Sequence, residues 1–98
     1  MIIVLAKVVP KDDGAKGQII EFSKDLIEKS KAEDGNVDYN LYENTSEDSL
    51  TFVEQWDSIE ILQKHMQTDH FINFGKNIAE LVACELEINL FNSEKLEF

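Results

Sequence analysis

The chain has 98 residues, 43% of them hydrophobic and 30% charged, with 20 acidic against nine basic side chains and a formal charge of −11. That length suffices for one domain with a modest core, and the apolar content sets it apart from disordered chains. A charge of this sign repels polyanions, which excludes nucleic acid and anionic membrane surfaces as natural partners; its ordinary consequence is solubility.

The apolar start, Met1 to Ala6, is too short for a signal-peptide core and runs straight into Lys7 and Pro10. No other segment approaches the ~20 apolar residues that a membrane span needs. Cys84 is the single cysteine, so no internal disulfide forms, and the expected compartment is the cytoplasm.

Ile2 to Val9 is a β-branched run closed by Pro10 and the turn-like Lys11 to Gly14, which predicts a strand. From Ala15 to about Glu33, Ile19, Ile20, Phe22, Leu26 and Ile27 recur at helical spacing, and Gly35 stands where a C-cap glycine is expected. Val37, Tyr39 and Leu41 then alternate with polar neighbours as a half-buried strand. Asn44 to Ser49 is a polar turn, and Leu50 to Trp56 completes a hairpin with Leu50, Phe52, Glu54 and Trp56 on one face.

Asp57-Ser58 suits the N-cap of a short helix ending near Met66. Thr68-Asp69 suits a second cap, followed by Phe71, Phe74, Ile78, Leu81 and Val82 close to one stripe. Cys84 to Phe91 alternates as a last strand, with Cys84 expected as a small buried hydrophobe. The order β-α-β-β-α-α-β predicts an α+β ferredoxin-like sandwich, an antiparallel sheet with its helices on one face. The expected domain is residues 1–92, with 93–98 as a C-terminal tail.

The first strand is apolar on both faces, with Ile2, Val4, Ala6 and Val8 on one and Ile3, Leu5 and Val9 on the other. Right-handed crossovers place the helices over only one of them. A second copy of the chain is the simplest cover for the other, so a homodimer with sheets face to face is expected.

The stretch from Val53 to Phe71 contains the only tryptophan and both histidines. Trp56 ends a strand, His65 closes the helix it feeds and His70 opens the next helix, positions that can wall one crevice. Tryptophan offers a stacking surface, imidazole exchanges protons near neutral pH, and Glu54 lies on the Trp56 face within reach of a hydrogen bond. Each also has a plain structural reading: Trp56, Phe71 and Phe74 as core, His65 as a cation on a helix C-terminus, and His70 as an exposed surface residue. Histidines five apart do not share a helix face, although the break at Thr68-Asp69 brings a metal set with Glu54 or Asp69 into consideration; nothing else in the sequence supports it, and no metal is expected. No Ser/His/Asp arrangement and no Gly-rich phosphate loop is present.

Glu54-x-Trp56, Ser58 and His65-x-x-Thr68-x-His70-Phe71, preceded by Glu33-Asp34-Gly35-x-x-x-Tyr39, resemble the signature of the antibiotic biosynthesis monooxygenase family, and especially its small bacterial quinol monooxygenases. The likeness runs from about Ile2 to Phe91. It implies a dimeric α/β-barrel type of ferredoxin-like fold, with a pocket between sheet and helices in each subunit. It also implies oxygenation of a small aromatic or quinol-like substrate by O₂ without metal, flavin or haem.

On that resemblance Trp56 stacks on or shapes the substrate, His65 is the base or the hydrogen-bonding partner of the phenolate, and Glu54 assists catalysis and positions the substrate. His70 helps to position it, while Tyr39, Phe52, Leu62 and Phe71 belong to the binding wall. Relatives that oxidise polyketide anthrones carry Asn and Tyr where this chain has Phe52 and Leu62, which argues against a bulky polyketide. Relatives that degrade haem need His and Asn where this chain has Gly75 and Lys7, which argues against haem. Relatives that process a phosphorylated sugar need a phosphate clamp, and only Lys64 and Lys76 lie near the segment. A non-oxidative isomerase or lyase using the same pocket, or a non-catalytic ligand-binding dimer, remain the alternatives.

Overall fold

The computed structural model describes all residues from 1 to 98. Its elements are β1 (Ile2–Val8), α1 (Asp13–Lys31), β2 (Asn36–Glu43), β3 (Leu50–Trp56), α2 (Ile59–His65), α3 (Asp69–Ile78) and β4 (Glu87–Asn92). The strands form one antiparallel sheet in the order β2-β3-β1-β4, the ferredoxin-like arrangement that the element order predicts.

The strands obey a period of two. In β3, Leu50, Phe52, Glu54 and Trp56 are buried while Thr51, Val53 and Gln55 are only partly so. In β1, Val4, Ala6 and Val8 are buried beneath the helices, and Leu5 on the other face is 37% exposed. The pairing Ile3 with Gln55 and Phe91, and Leu5 with Val53 and Asn89, gives that outer face a mixture of apolar and polar side chains.

Helix α1 starts where Asp12 accepts a hydrogen bond from the Ala15 amide, and it buries Ile19 and Leu26 against the sheet. Phe22, expected on the same stripe, is exposed instead. The helix ends at Lys31 with Ala32 as its C-cap, three residues before the glycine expected in that role. Gly35 has φ +85°, and a Cβ there would stand 2.7 Å from Ile61 Cγ2. Its carbonyl accepts from the Asp57 amide at 2.9 Å, so the turn after α1 is pinned between the end of β3 and α2.

Ser58 and Thr68 cap α2 and α3 by accepting from the amides of Ile61 and Phe71. The Thr68 hydroxyl also donates to the His65 carbonyl at 2.7 Å, stapling the end of α2 to the start of α3. The last strand begins later than its alternation predicts, at Glu87, and every residue of it is exposed. Cys84 is exposed as well, because residues 79–86 cross back to the sheet edge with only an isolated bridge between Pro10 and Val82.

Candidate functional site

Val4 and Ala6 of β1 and Phe52 and Glu54 of β3 form the floor of a cavity of about 280 Å³. Tyr39 and Leu26 stand at one side, Leu62, His65 and Met66 of the α2 segment at another, and Phe71, Phe74, Gly75 and Ile78 of α3 above. Val82, Leu86, Ile88 and Leu90 complete the wall toward β4. Fifteen of the 18 lining residues are hydrophobic, and neither Lys nor Arg is among them. Such a cavity accepts a small apolar molecule and offers no ion partner to a phosphate or carboxylate.

Glu54 and His65 are the ionisable groups that stand out in this wall. Glu54 lies among buried side chains and accepts a hydrogen bond from the Trp56 indole nitrogen at 3.0 Å. Burial pushes its carboxyl up to about 7, against the opposing effect of hydrogen bonding from Trp56 and Tyr39. Tyr39, its cross-strand partner, has its hydroxyl pushed upward by burial and by the charge of Glu54, so it stays protonated.

His65 is 1% exposed, ringed by Trp56, Tyr39, Phe71 and His70 at centroid distances of 4.5, 5.4, 5.1 and 5.8 Å. Burial lowers its pKa, with Glu33 acting in the opposite sense, so the neutral imidazole is favoured. Its Nδ1 lies 2.6 Å from Glu33 Oε2, while its Nε2 is buried without a hydrogen-bond partner. His70 Nε2 lies 2.8 Å from the same Glu33 oxygen. The turn after α1 delivers this carboxylate, which the sequence singles out only as part of a motif.

The residues named from sequence therefore divide. Tyr39, Phe52, Glu54, Leu62, His65 and Phe71 line the cavity. Trp56, fully buried, lies behind it, with its ring against His65 and its N–H on Glu54. His70 is neither in the cavity wall nor freely exposed. It lines a smaller groove between α1 and α3 with Phe22, Asp25 and Asn77, and is joined to His65 through Glu33. The carboxylate that gathers the two histidines is Glu33, rather than the Glu54 or Asp69 considered from spacing.

Residues 1–77 match the family described as antibiotic biosynthesis monooxygenase. A protein of Synechocystis sp. is 34% identical over 92% of this chain, which spans 61% of that relative's length. YcnE of Bacillus subtilis, provisionally named a monooxygenase, is 30% identical over 90% of this chain and 93% of its own. A conserved protein from Methanosarcina mazei has the same fold, with a TM-score of 0.90 at 29% identity over 95% of this chain and 92% of that one. With its four-stranded sheet, three helices and a cavity lined by His65 and Glu54, the chain belongs to the antibiotic biosynthesis monooxygenase family.

Proposed function

We propose that the protein is a cofactor-independent monooxygenase acting on a small, uncharged phenol or hydroquinone. The observation that carries this reading is His65: a neutral imidazole lining an apolar cavity, with a nitrogen that no protein group satisfies. A buried polar atom without a partner is costly, and a ligand hydroxyl donating to Nε2 removes that cost. The cavity volume suits a molecule of one or two rings, and its apolar walls favour such a ligand over a charged one.

Deprotonation is the step the protein supplies. The phenolic O–H bond breaks, its proton goes to His65 Nε2, and the phenolate passes one electron to O₂. The phenoxyl radical and superoxide then join at a ring carbon, the peroxide anion takes the proton back from His65 Nε2, and cleavage of the O–O and ring C–H bonds releases water and leaves a quinone oxygen. One atom of O₂ enters the product, the other leaves as water, and the substrate supplies the electrons. Apolar walls favour the sequence by limiting the contact of the reactive pair with solvent. Trp56 acts from behind, fixing the His65 ring and the Glu54 carboxyl, while Phe52, Leu62 and Phe71 set the shape of the ligand.

A homodimer is part of the same reading, its support the exposed apolar side chains on the outer sheet face, Leu5 and Phe91 among them.

Oxygen uptake with a panel of substituted hydroquinones tests the activity. Wild-type uptake well above that of His65→Ala is the expected result. Equal rates across the panel would remove the assigned role, and turnover under strict anaerobiosis would replace oxygenation by acid–base isomerisation in the same cavity.

A further inference from the structure

Glu33 Oε2 stands 2.6 Å from His65 Nδ1 and 2.8 Å from His70 Nε2. Two ring nitrogens so close to one oxygen need a proton in each gap. An ionised carboxylate only accepts, so both nitrogens are donors: Nδ1–H on His65 and Nε2–H on His70. A neutral imidazole carries one proton, and with Nδ1 occupied the lone pair of His65 lies on Nε2. That is the buried atom without a protein partner. The arrangement of these three side chains, from separate parts of the chain, points to Nε2 as the free nitrogen of His65.

We propose that Glu33 and His70 are positioning residues for His65, which hold it as the Nδ1–H tautomer with the Nε2 lone pair left without a protein partner, for a ligand hydroxyl to engage, and supply the countercharge when Nε2 is protonated. The inference rests on His65 acting as the base under the function proposed above. In the step concerned, the ligand O–H bond breaks and an N–H bond forms at Nε2, leaving phenolate and imidazolium and moving no electron to or from the protein. The imidazolium then sits against Glu33, a charge-assisted contact largely screened from solvent. His70, donating to the same oxygen, keeps the carboxylate from rotating away. The side-chain exposures agree with this division: 1% for His65, 13% for His70 and 16% for Glu33.

The same three groups are also near enough for a metal site, all donor atoms lying within 4.8 Å of one another. Metal–ligand bonds of about 2.0–2.2 Å, however, hold neighbouring donor atoms at roughly 3 Å or more. The oxygen here is closer than that to each nitrogen, at hydrogen-bonding distance.

Two measurements on the whole protein decide the matter. Histidine ¹⁵N shifts in the ligand-free protein report the tautomer directly. Nδ1–H on His65 is expected in the wild type and in Glu33→Asp, with a mixture or the Nε2–H form in Glu33→Gln. Absorbance of bound 4-nitrophenol, read below its solution pKa, reports proton transfer. The bound phenolate-to-phenol ratio is expected to fall about tenfold or more in Glu33→Gln, equivalent to one pKa unit or more.

Nε2–H in the wild type, an unchanged tautomer in Glu33→Gln, or a stoichiometric divalent metal in the purified protein would overturn the proposal. The wild-type spectrum decides alone if Glu33→Gln fails to fold. Bound 4-nitrophenol that stays neutral in the wild type would sink the base assignment together with this inference. Ionised nitrophenol without oxygen uptake from any hydroquinone would sink only the oxygenase reading.

Discussion

The indole N–H of Trp56 donates to Oε1 of Glu54 at 3.0 Å, two residues back along the same face of β3. Both side chains are buried, so the tryptophan acts here as the donor to a carboxyl with few other partners. Trp56→Phe keeps an aromatic ring against His65 but removes that donor. Loss of one partner from a buried polar group costs about 1–3 kcal/mol, to which lost packing adds. Urea denaturation at neutral pH measures the loss, and an unchanged midpoint would mean that the bond contributes nothing.

Glu54 also gives stability a pH dependence of unusual sign for a carboxylate. Its value is near 4.5 when unfolded and about 7 in the fold, so between these the folded state holds a proton that the unfolded chain has released. Its contribution is therefore complete below about pH 4.5, is lost as pH rises to about 7, and does not change further above that. The amount is of the order of 3 kcal/mol, from 1.36 kcal/mol per unit. Glu54→Gln should flatten this part of the stability profile and be relatively more stable above pH 7. Denaturation midpoints of both proteins at a series of pH values check it.

His65 acts in the opposite direction. Burial lowers its pKa below 6.5, so an unfolded chain takes up a proton that the folded one refuses. Its contribution is present above about pH 6.5 and is lost as pH falls through the folded value. With His65 as the base proposed above, kcat/KM should fall on the acid side, with its limb below pH 6.5. Glu54 ionises near 7 in the same cavity, so a limb at that pH should disappear in Glu54→Gln while the lower one remains. An acid limb that survives in His65→Gln would assign it to another group.

Gly35 couples the backbone to the site. Its φ of +85° disfavours any Cβ, and the one built there would meet Ile61 at 2.7 Å. Gly35→Ala should cost about 1–3 kcal/mol. Because Glu33 lies on this turn, the cost should come with a change in the His65 and His70 ring signals as well as in thermal stability. A destabilised variant with both ring spectra unchanged would separate the turn from the cluster.

Leu5 is 37% exposed at the centre of the outer sheet face, between Val53 and Asn89 in register. If a second copy covers that face, Leu5→Lys should shift the protein from about twice 11.2 kDa to the single-chain mass, with its circular dichroism retained. Sedimentation equilibrium measures this. A wild-type protein at the single-chain mass throughout the concentration range would dispose of the dimer.

Much of the architecture is legible in the sequence because two periodicities rarely conflict here. The alternation of Leu50, Phe52, Glu54 and Trp56 places β3 with its buried face correctly, and Ser58 and Thr68 mark two helix starts. The last strand is harder: Cys84 and Leu86 continue its alternation, yet pairing with β1 begins only at Glu87. The cavity floor follows from strand phase, which is why Phe52 and Glu54 can be named in advance.

Glu33 cannot be found in that way. It lies 32 residues before His65 and 37 before His70, and only the docking of the α1 turn against α2 and α3 brings the three together. Local pattern reports which face a side chain occupies, not which distant groups share it. Trp56 shows the converse limit: its face is readable, but whether it fronts the cavity or backs it depends on how His65 packs over its ring.

The cavity wall has one more consequence. The stretch matched by the family ends at residue 77, and Glu33, Glu54, His65 and His70 all lie within it. Ile78, Ala79, Val82, Leu86, Ile88 and Leu90, a third of the lining, come after it. The polar groups thus lie wholly within the matched stretch, whereas the apolar wall is divided, with Phe52, Leu62 and Phe71 inside it and these six residues outside. Exchanging the last twenty-odd residues between members would therefore alter only that third of the wall and leave Glu33, Glu54, His65 and His70 in place.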